Sequence, residues 1–244
     1  MKRPSAIEIK LPLSNRTAAG VLLANELAKV EHATATIVLA LPRGGLPVAA
    51  EIARVLNAPL DLMLVRKLGT PRRMELAMGA IAGRGTRVLN SDVIWEYGVS
   101  ESEISEIEAW EREEMERRRE AYLGDRPQPQ LRGRSVVLVD DGLATGATMR
   151  AAIDAAREEG AAEIIVAVPV APLRTLRELR HKVDEIYCLA TPEPFVAIGP
   201  WYQDFGQVSD KEVCQILKEA WAREESTDFE SARDESISAA ASPA

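Results

Sequence analysis

The chain has 244 residues, 46% of them hydrophobic, which is enough for one substantial core. Its 30 Lys+Arg against 38 Asp+Glu leave a formal net charge of −8, which excludes the usual basic nucleic-acid footprint unless basic residues gather in space. No apolar stretch reaches the roughly 20 residues of a spanning helix, and MKRPSAIEIKLPLSNR lacks the apolar centre of a signal peptide, so a soluble, cytoplasmic protein without membrane contact is expected.

In chain order, Asn15 is placed to cap a helix through RTAAGVLLANELAKV, and TATIVLAL then reads as a buried strand. A helix in LPVAAEIARVL and a strand in PLDLMLVRKL follow, with Arg66 and Lys67 at the end of that strand. Gly69, Pro71 and Gly79 punctuate GTPRRMELAMG, which is too polar and broken for a core element; residues 69–78 are expected to form a mobile loop. AIAGRGTRVLN predicts a small hairpin turning at Gly83 to Gly85. Over about 100–123 a long helix is expected, with Ile104, Ile107, Trp110, Met115 and Tyr122 on a narrow stripe that packs by one edge on the domain or a second copy. GDRPQPQLRG is a Pro-rich connector back to the core.

VVLVDDGLATGATM comes next, followed by a helix in MRAAIDAAREE, a strand in AEIIVAVPVA, a helix in LRTLREL and a strand in VDEIYCLA. This alternation predicts an α/β fold, a mostly parallel doubly wound sheet with helices on both faces. Residues 1–222 form one domain on this reading, with a small hood at about 190–208. Residues 223–244 are acidic, rich in Ser and Ala and poor in large apolar groups, which predicts a disordered tail. Cys188 and Cys214 suit neither a metal knuckle nor a redox pair and read as packed thiols.

In VVLVDDGLATGATM, Val136 to Val139 form the strand, Gly142 to Thr148 the turn, and Met149 onward the helix. The first turn of a helix presents unpaired N–H groups and partial positive charge, so an anion is favoured there. Gly142 and Gly146 let the backbone fold tightly, and Thr145 and Thr148 add donors without bulk, which together make a phosphate cradle. Asp140 and Asp141 end the strand, where ionised carboxylates can accept hydrogen bonds from a vicinal diol. The bland alternative is that they only cap the helix and satisfy a turn. PRGGLP repeats the theme after another strand, although Gly-Gly there also suits a plain turn. Arg66 and Lys67 read either as cations that neutralise an anionic ligand or as partners in surface ion pairs.

VVLVDDGLATGATM resembles the phosphoribosyl pyrophosphate motif of type I phosphoribosyltransferases, and the likeness extends from about Asn15 to Trp221. The resemblance implies that Asp140 and Asp141 hold the ribose 2- and 3-hydroxyls, with Gly142 and Leu143 leading into a 5-phosphate loop of Ala144, Thr145, Gly146, Ala147 and Thr148. It implies a pyrophosphate loop at Arg43, Gly44 and Gly45, and a flexible loop at 69–78 that closes over the site and brings Arg72, Arg73 and Glu75 near it. It further implies Mg2+ as cofactor, with Asp140 and Asp141 near the ion through water, and phosphoribosyl pyrophosphate and a small-molecule nitrogen acceptor as substrates. A homo-oligomer is expected, and nucleic acid is not an expected partner. In the hood, Phe195, Trp201, Tyr202 and Phe205 are candidates to stack on a flat base, with Gln203 and Asp204 on its edge, although core packing competes for most of these aromatics. Ala144 stands where the hypoxanthine-guanine branch carries a carboxylate, so a 6-oxo purine loses one partner. The alternative to an enzyme is a non-catalytic regulator that binds phosphoribosyl pyrophosphate; a hydrolase using water as acceptor is a third reading.

Overall fold

The computed structural model describes residues 9–30, 35–83 and 85–240, without the side chains of Glu75 and 227–240. Helices α1 (Arg16–Leu27) and α2 (Gly45–Leu56) flank β1 (Thr36–Ala40), and β2 (Leu60–Leu62) follows. Strands β3 (Val65–Thr70), β4 (Arg73–Ala82) and β5 (Thr86–Leu89) lead to α3 (Ser91–Tyr97) and α4 (Glu101–Leu123). The chain then alternates through β6 (Ser135–Val139), α5 (Ala147–Glu158), β7 (Glu163–Val170), α6 (Leu173–Leu179) and β8 (Glu185–Ala190), and it ends in α7 (Asp210–Ala240).

The main sheet has the order β2-β1-β6-β7-β8 with every pair parallel. Parallel strands need both faces covered. Leu23, Val48, Ile52 and Leu217, from α1, α2 and α7, bury one face; Met149, Ile153 and Leu179, from α5 and α6, bury the other. This is the doubly wound architecture that the alternation predicts. Helix α1 begins where expected, with the Asn15 side chain accepting from Ala18 N at 2.8 Å.

PLDLMLVRKL is not one strand: β2 stays in the parallel sheet, whereas β3 joins β4 and β5 in a separate antiparallel sheet. A continuous apolar run carries no mark of a change of sheet. The expected hairpin is present, with Ala82 paired to Thr86, although residue 84 lies outside the described residues. Residues 69–78, expected as a mobile loop, instead continue the ladder between β3 and β4 around a turn at 71–72, with register shifts between Leu68 and Thr70. Their polar composition fits because one face of an antiparallel sheet can meet water.

Helix α4 covers this second sheet, burying Ile104 against Leu68, Met78 and Ile81. Its expected apolar stripe is corrected at one position: Trp110 is 59% exposed, and Glu111 is buried in its place. Residues 104, 111, 115 and 122 follow the helical period, and 110 sits about 100° away from 111. Glu111 is tolerated because Arg66 of β3 pairs with it at 2.6 Å. The acidic segment read as a tail is helical backbone as far as Ala240, and 241–244 lie outside the described residues.

The edge strand β2 is closed by α7: Leu60 N donates to Glu224 at 2.8 Å, and the Trp221 indole donates to the Leu60 carbonyl at 3.1 Å. Beside it lies buried Asp61, whose carboxyl burial pushes up to about 6, against the opposing pull of the Leu62 N–H and Arg126. The folded state therefore holds this proton more tightly than the unfolded chain, whose value is 3.8. Stability from this group is fully present below the unfolded value and is lost as pH rises through 6. Asp61→Asn is expected to stabilise the protein by about 2–3 kcal/mol at pH 8, with the gain fading toward pH 4. Urea unfolding at the two pH values checks this; an equal gain at both would contradict it.

Candidate functional site

Strands β1 and β6 are neighbours in register, Ala40 opposite Val139, and sequence order reverses between them. Such a switch point opens a crevice at the carboxyl ends of the strands. Both glycine-containing loops leave the sheet there side by side, tied by Leu41 N donating to the Val139 carbonyl at 2.8 Å. The Pro42–Arg43 peptide is cis. A Cβ on Gly44 would lie 2.1 Å from Asp141 Oδ2, and one on Gly45 would lie 2.5 Å from the Val139 carbonyl oxygen. Bare backbone is therefore required in the first loop because the acid pair of the second loop packs against it.

Asp140 and Asp141 follow β6 directly. Asp141 is 8% exposed; its Oδ2 accepts from Arg16 Nε at 2.8 Å, and its carbonyl accepts from the Tyr202 hydroxyl at 2.6 Å. Asp140 Oδ1 accepts from Asp141 N at 2.8 Å. Burial first, and then the charge of Asp141, push the Asp140 carboxyl well above the ordinary carboxylate range. The two carboxyl groups also contact each other, which raises Asp140 further, so the acids form one closely packed acceptor pair at the end of β6.

Past the acids, Gly142 is packed so closely that a Cβ would meet Ile198 of the hood at 2.7 Å. Leu143 is buried, and its N–H donates to the Val170 carbonyl at 2.9 Å, so this residue anchors the loop. The Ala144 carbonyl accepts from the Thr175 hydroxyl at 2.8 Å. Ala144, Thr145 and Thr148 are exposed. Gly146 has φ +70°, and α5 starts at Ala147, two residues earlier than the sequence reading, so Ala147 and Thr148 form its first turn. Neither α2 nor α5 has a side-chain cap. At the start of α2, Gly45 N donates to the Leu41 carbonyl at 3.1 Å and Leu46 N to the Arg43 carbonyl at 3.2 Å, and at the start of α5, Ala147 N contacts Thr145 Oγ1 at 3.5 Å; the favourable end of each helix dipole lies at its loop.

The remaining candidates are spread more widely. The Arg43 side chain reaches Asp210 of α7 at 3.3 Å, an oxygen that also accepts from Tyr122. Arg66 and Lys67 are consecutive in β3 and so point to opposite faces; Arg66 is held by Glu111, and Lys67 is exposed. In the hood, Tyr202 is buried and stacks on Phe205 at 5.1 Å, and Trp201 lies tilted against Phe195 at 6.0 Å. Both rings pack in the same cluster as Leu13 and Ala19. Gln203 and Asp204, read as an edge for the base, are engaged elsewhere: the Gln203 amide contacts the Pro12 carbonyl at 3.5 Å, and the Asp204 carboxylate caps Gly206 N at 3.1 Å. Leu13 pairs with Tyr202, so the hood rests on the segment before α1. Arg16 escapes the sequence reading altogether, because nothing local to α1 links it to residues 141 and 205.

The switch-point crevice, the adjacent acid pair and the paired glycine loops lie together at the carboxyl ends of the strands of a doubly wound α/β sheet. The phosphoribosyl transferase domain model matches residues 16–201, and the chain belongs to that family. It is 45% identical over 206 residues to the Mycobacterium tuberculosis (strain ATCC 25618 / H37Rv) protein named "Putative phosphoribosyl transferase Rv0571c", covering 84% of this chain and 46% of that one. The MT0597 protein of strain CDC 1551 / Oshkosh, named in the same way, matches equally. The chain thus spans about half the length of the curated relatives it matches. Among solved structures, TT1426 from Thermus thermophilus is similar, with a TM-score of 0.76 and 41% identity over 86% of this chain and 99% of that one. Among the described residues, no helix is long and apolar enough to cross a membrane.

Proposed function

We propose that the chain transfers the 5-phosphoribosyl group from phosphoribosyl pyrophosphate to a nitrogen acceptor, a nucleobase, with release of pyrophosphate. The observation that supports this reading is the convergence of two glycine-containing loops and an acid pair on neighbouring strands β1 and β6. A ligand with phosphates at both ends and a diol between them matches that layout. Asp140 and Asp141 accept from the ribose hydroxyls, residues 144–148 take the 5-phosphate at the start of α5, and Arg43, Gly44 and Gly45 take the pyrophosphate at the start of α2. The acid pair also favours positive charge on the ribosyl ring as the bond to pyrophosphate breaks. Lys67 meets the leaving group, whereas Arg66 fixes β3 through Glu111. Trp201 and Tyr202 serve the acceptor side by building the hood.

Among the described residues, no group of three or more His, Cys, Asp or Glu could hold a metal ion. Magnesium takes about six oxygens and keeps several waters, so the two acids suit an ion that arrives with the diphosphate and is held through water. When bound, it would neutralise charge on the departing pyrophosphate. The same reading makes the protein a cytoplasmic enzyme of nucleotide metabolism and a homo-oligomer, with exposed Trp110 of α4 offering a contact for a second copy.

Pyrophosphate release from phosphoribosyl pyrophosphate and magnesium, across a panel of purine and pyrimidine bases, tests the transfer. Release that depends on one base is the expected result. Tight binding with no release under any base would contradict transfer and leave the non-catalytic regulator; release without a base would indicate a hydrolase.

A further inference from the structure

We propose that Arg16 is a positioning residue that ties the ribose-binding acid Asp141 to the hood, so that the two halves of the site are mechanically coupled. The inference rests on the function proposed above.

Four contacts close a ring, and a fifth, to the Gly206 carbonyl, braces it. Arg16 Nε donates to Asp141 Oδ2 at 2.8 Å, with both side chains only 11% exposed. Its NH1 donates to the Gly206 carbonyl at 2.7 Å, and its guanidinium lies 3.9 Å from the centroid of the Phe205 ring. Phe205 stacks on Tyr202, and the Tyr202 hydroxyl returns to the Asp141 carbonyl. Asp141 is therefore gripped at its side chain and at its backbone by groups that belong to, or lean on, residues 202–206.

The side-chain grip is selective. Oδ2 is enclosed between Arg16 and Gly44, where a Cβ would lie 2.1 Å away, whereas it would lie 3.1 Å from Oδ1. Arg16 thus takes the inner oxygen and leaves the outer one for the sugar. Only arginine fits all the contacts, because a planar fork can hydrogen-bond two acceptors in its plane while stacking on a ring; an ammonium can pair with the carboxylate but cannot stack in that way. The pair is too enclosed to be a screened surface contact.

Calorimetric titration of phosphoribosyl pyrophosphate with magnesium into the full chain tests the inference. Arg16→Gln is expected to weaken binding about tenfold, and Arg16→Lys to restore only part of that loss. Phe205→Leu should weaken binding about threefold in the wild-type background and not at all in the Arg16→Gln background, which is the signature of coupling. Lower thermal stability of Arg16→Gln with unchanged affinity would overturn the proposal, as would a Phe205→Leu effect of equal size in both backgrounds. Failure of the wild-type chain to bind would sink the proposed function itself, and this inference with it.

Discussion

Asp140→Asn is expected to lower turnover by about 10²–10³-fold while leaving the protein as stable at neutral pH as the wild type, or more so. The carboxyl of Asp140 is half-buried beside another acid, and desolvation together with the charge of Asp141 puts its folded value above the ordinary 3.8. For such a group stability is present below the unfolded value and is lost as pH rises through the folded one. The amide removes that penalty and still offers an oxygen to Asp141 N. Asp141→Asn is expected to damage turnover as badly but to cost stability, because Arg16 would lose its carboxylate in an enclosed place. Steady-state kinetics paired with thermal melts separate the two acids. Retention of full activity by either variant would remove the ribose assignment for that acid.

Gly44→Ala is expected to weaken binding of phosphoribosyl pyrophosphate by at least about tenfold with a small fall in melting temperature, because moving the Asp141 carboxylate also loosens its pair with Arg16. Gly44 has φ −61°, which any residue adopts, so the methyl meets no backbone strain. What it meets is the Asp141 carboxylate, which can rotate away only by leaving its place in the site. Gly45→Ala differs, since its methyl would meet the Val139 carbonyl oxygen and lie 2.8 Å from Asp140 Cα. Backbone cannot give way cheaply, so that variant is expected to lose about 1–3 kcal/mol of stability as well as affinity. Equal behaviour of the two variants in melts and titrations would contradict the packing of the first loop on the acid pair.

Much of this site is legible in the sequence because its parts are local. Asp140, Asp141, Gly142 and Gly146 lie within one strand–loop–helix, and Arg43 to Gly45 within another; apolar runs and glycines mark each. The alternation of apolar runs with helical patterns also gives the doubly wound sheet and the helices on its two faces. What the sequence does not reveal depends on contacts between distant segments. Arg16 reaches Asp141 across 125 residues, and Leu13 pairs with Tyr202 to seat the hood. The pairing of Arg66 with Glu111 shows the same effect: a carboxylate on the packing side of α4 looks misplaced until its partner strand is known. Residues 69–78 mislead for a different reason. Glycines and charges there suggest irregular chain, yet an antiparallel ladder with one face in water accepts both.

The most direct test of the account is a calorimetric titration of the wild-type chain and of Asp141→Asn with phosphoribosyl pyrophosphate and magnesium. Saturable one-to-one binding by the wild type that is lost in the variant is the result predicted here. No binding by the wild type, or equal binding by both proteins, would contradict the assignment of the acid pair and its two loops as the site for this ligand.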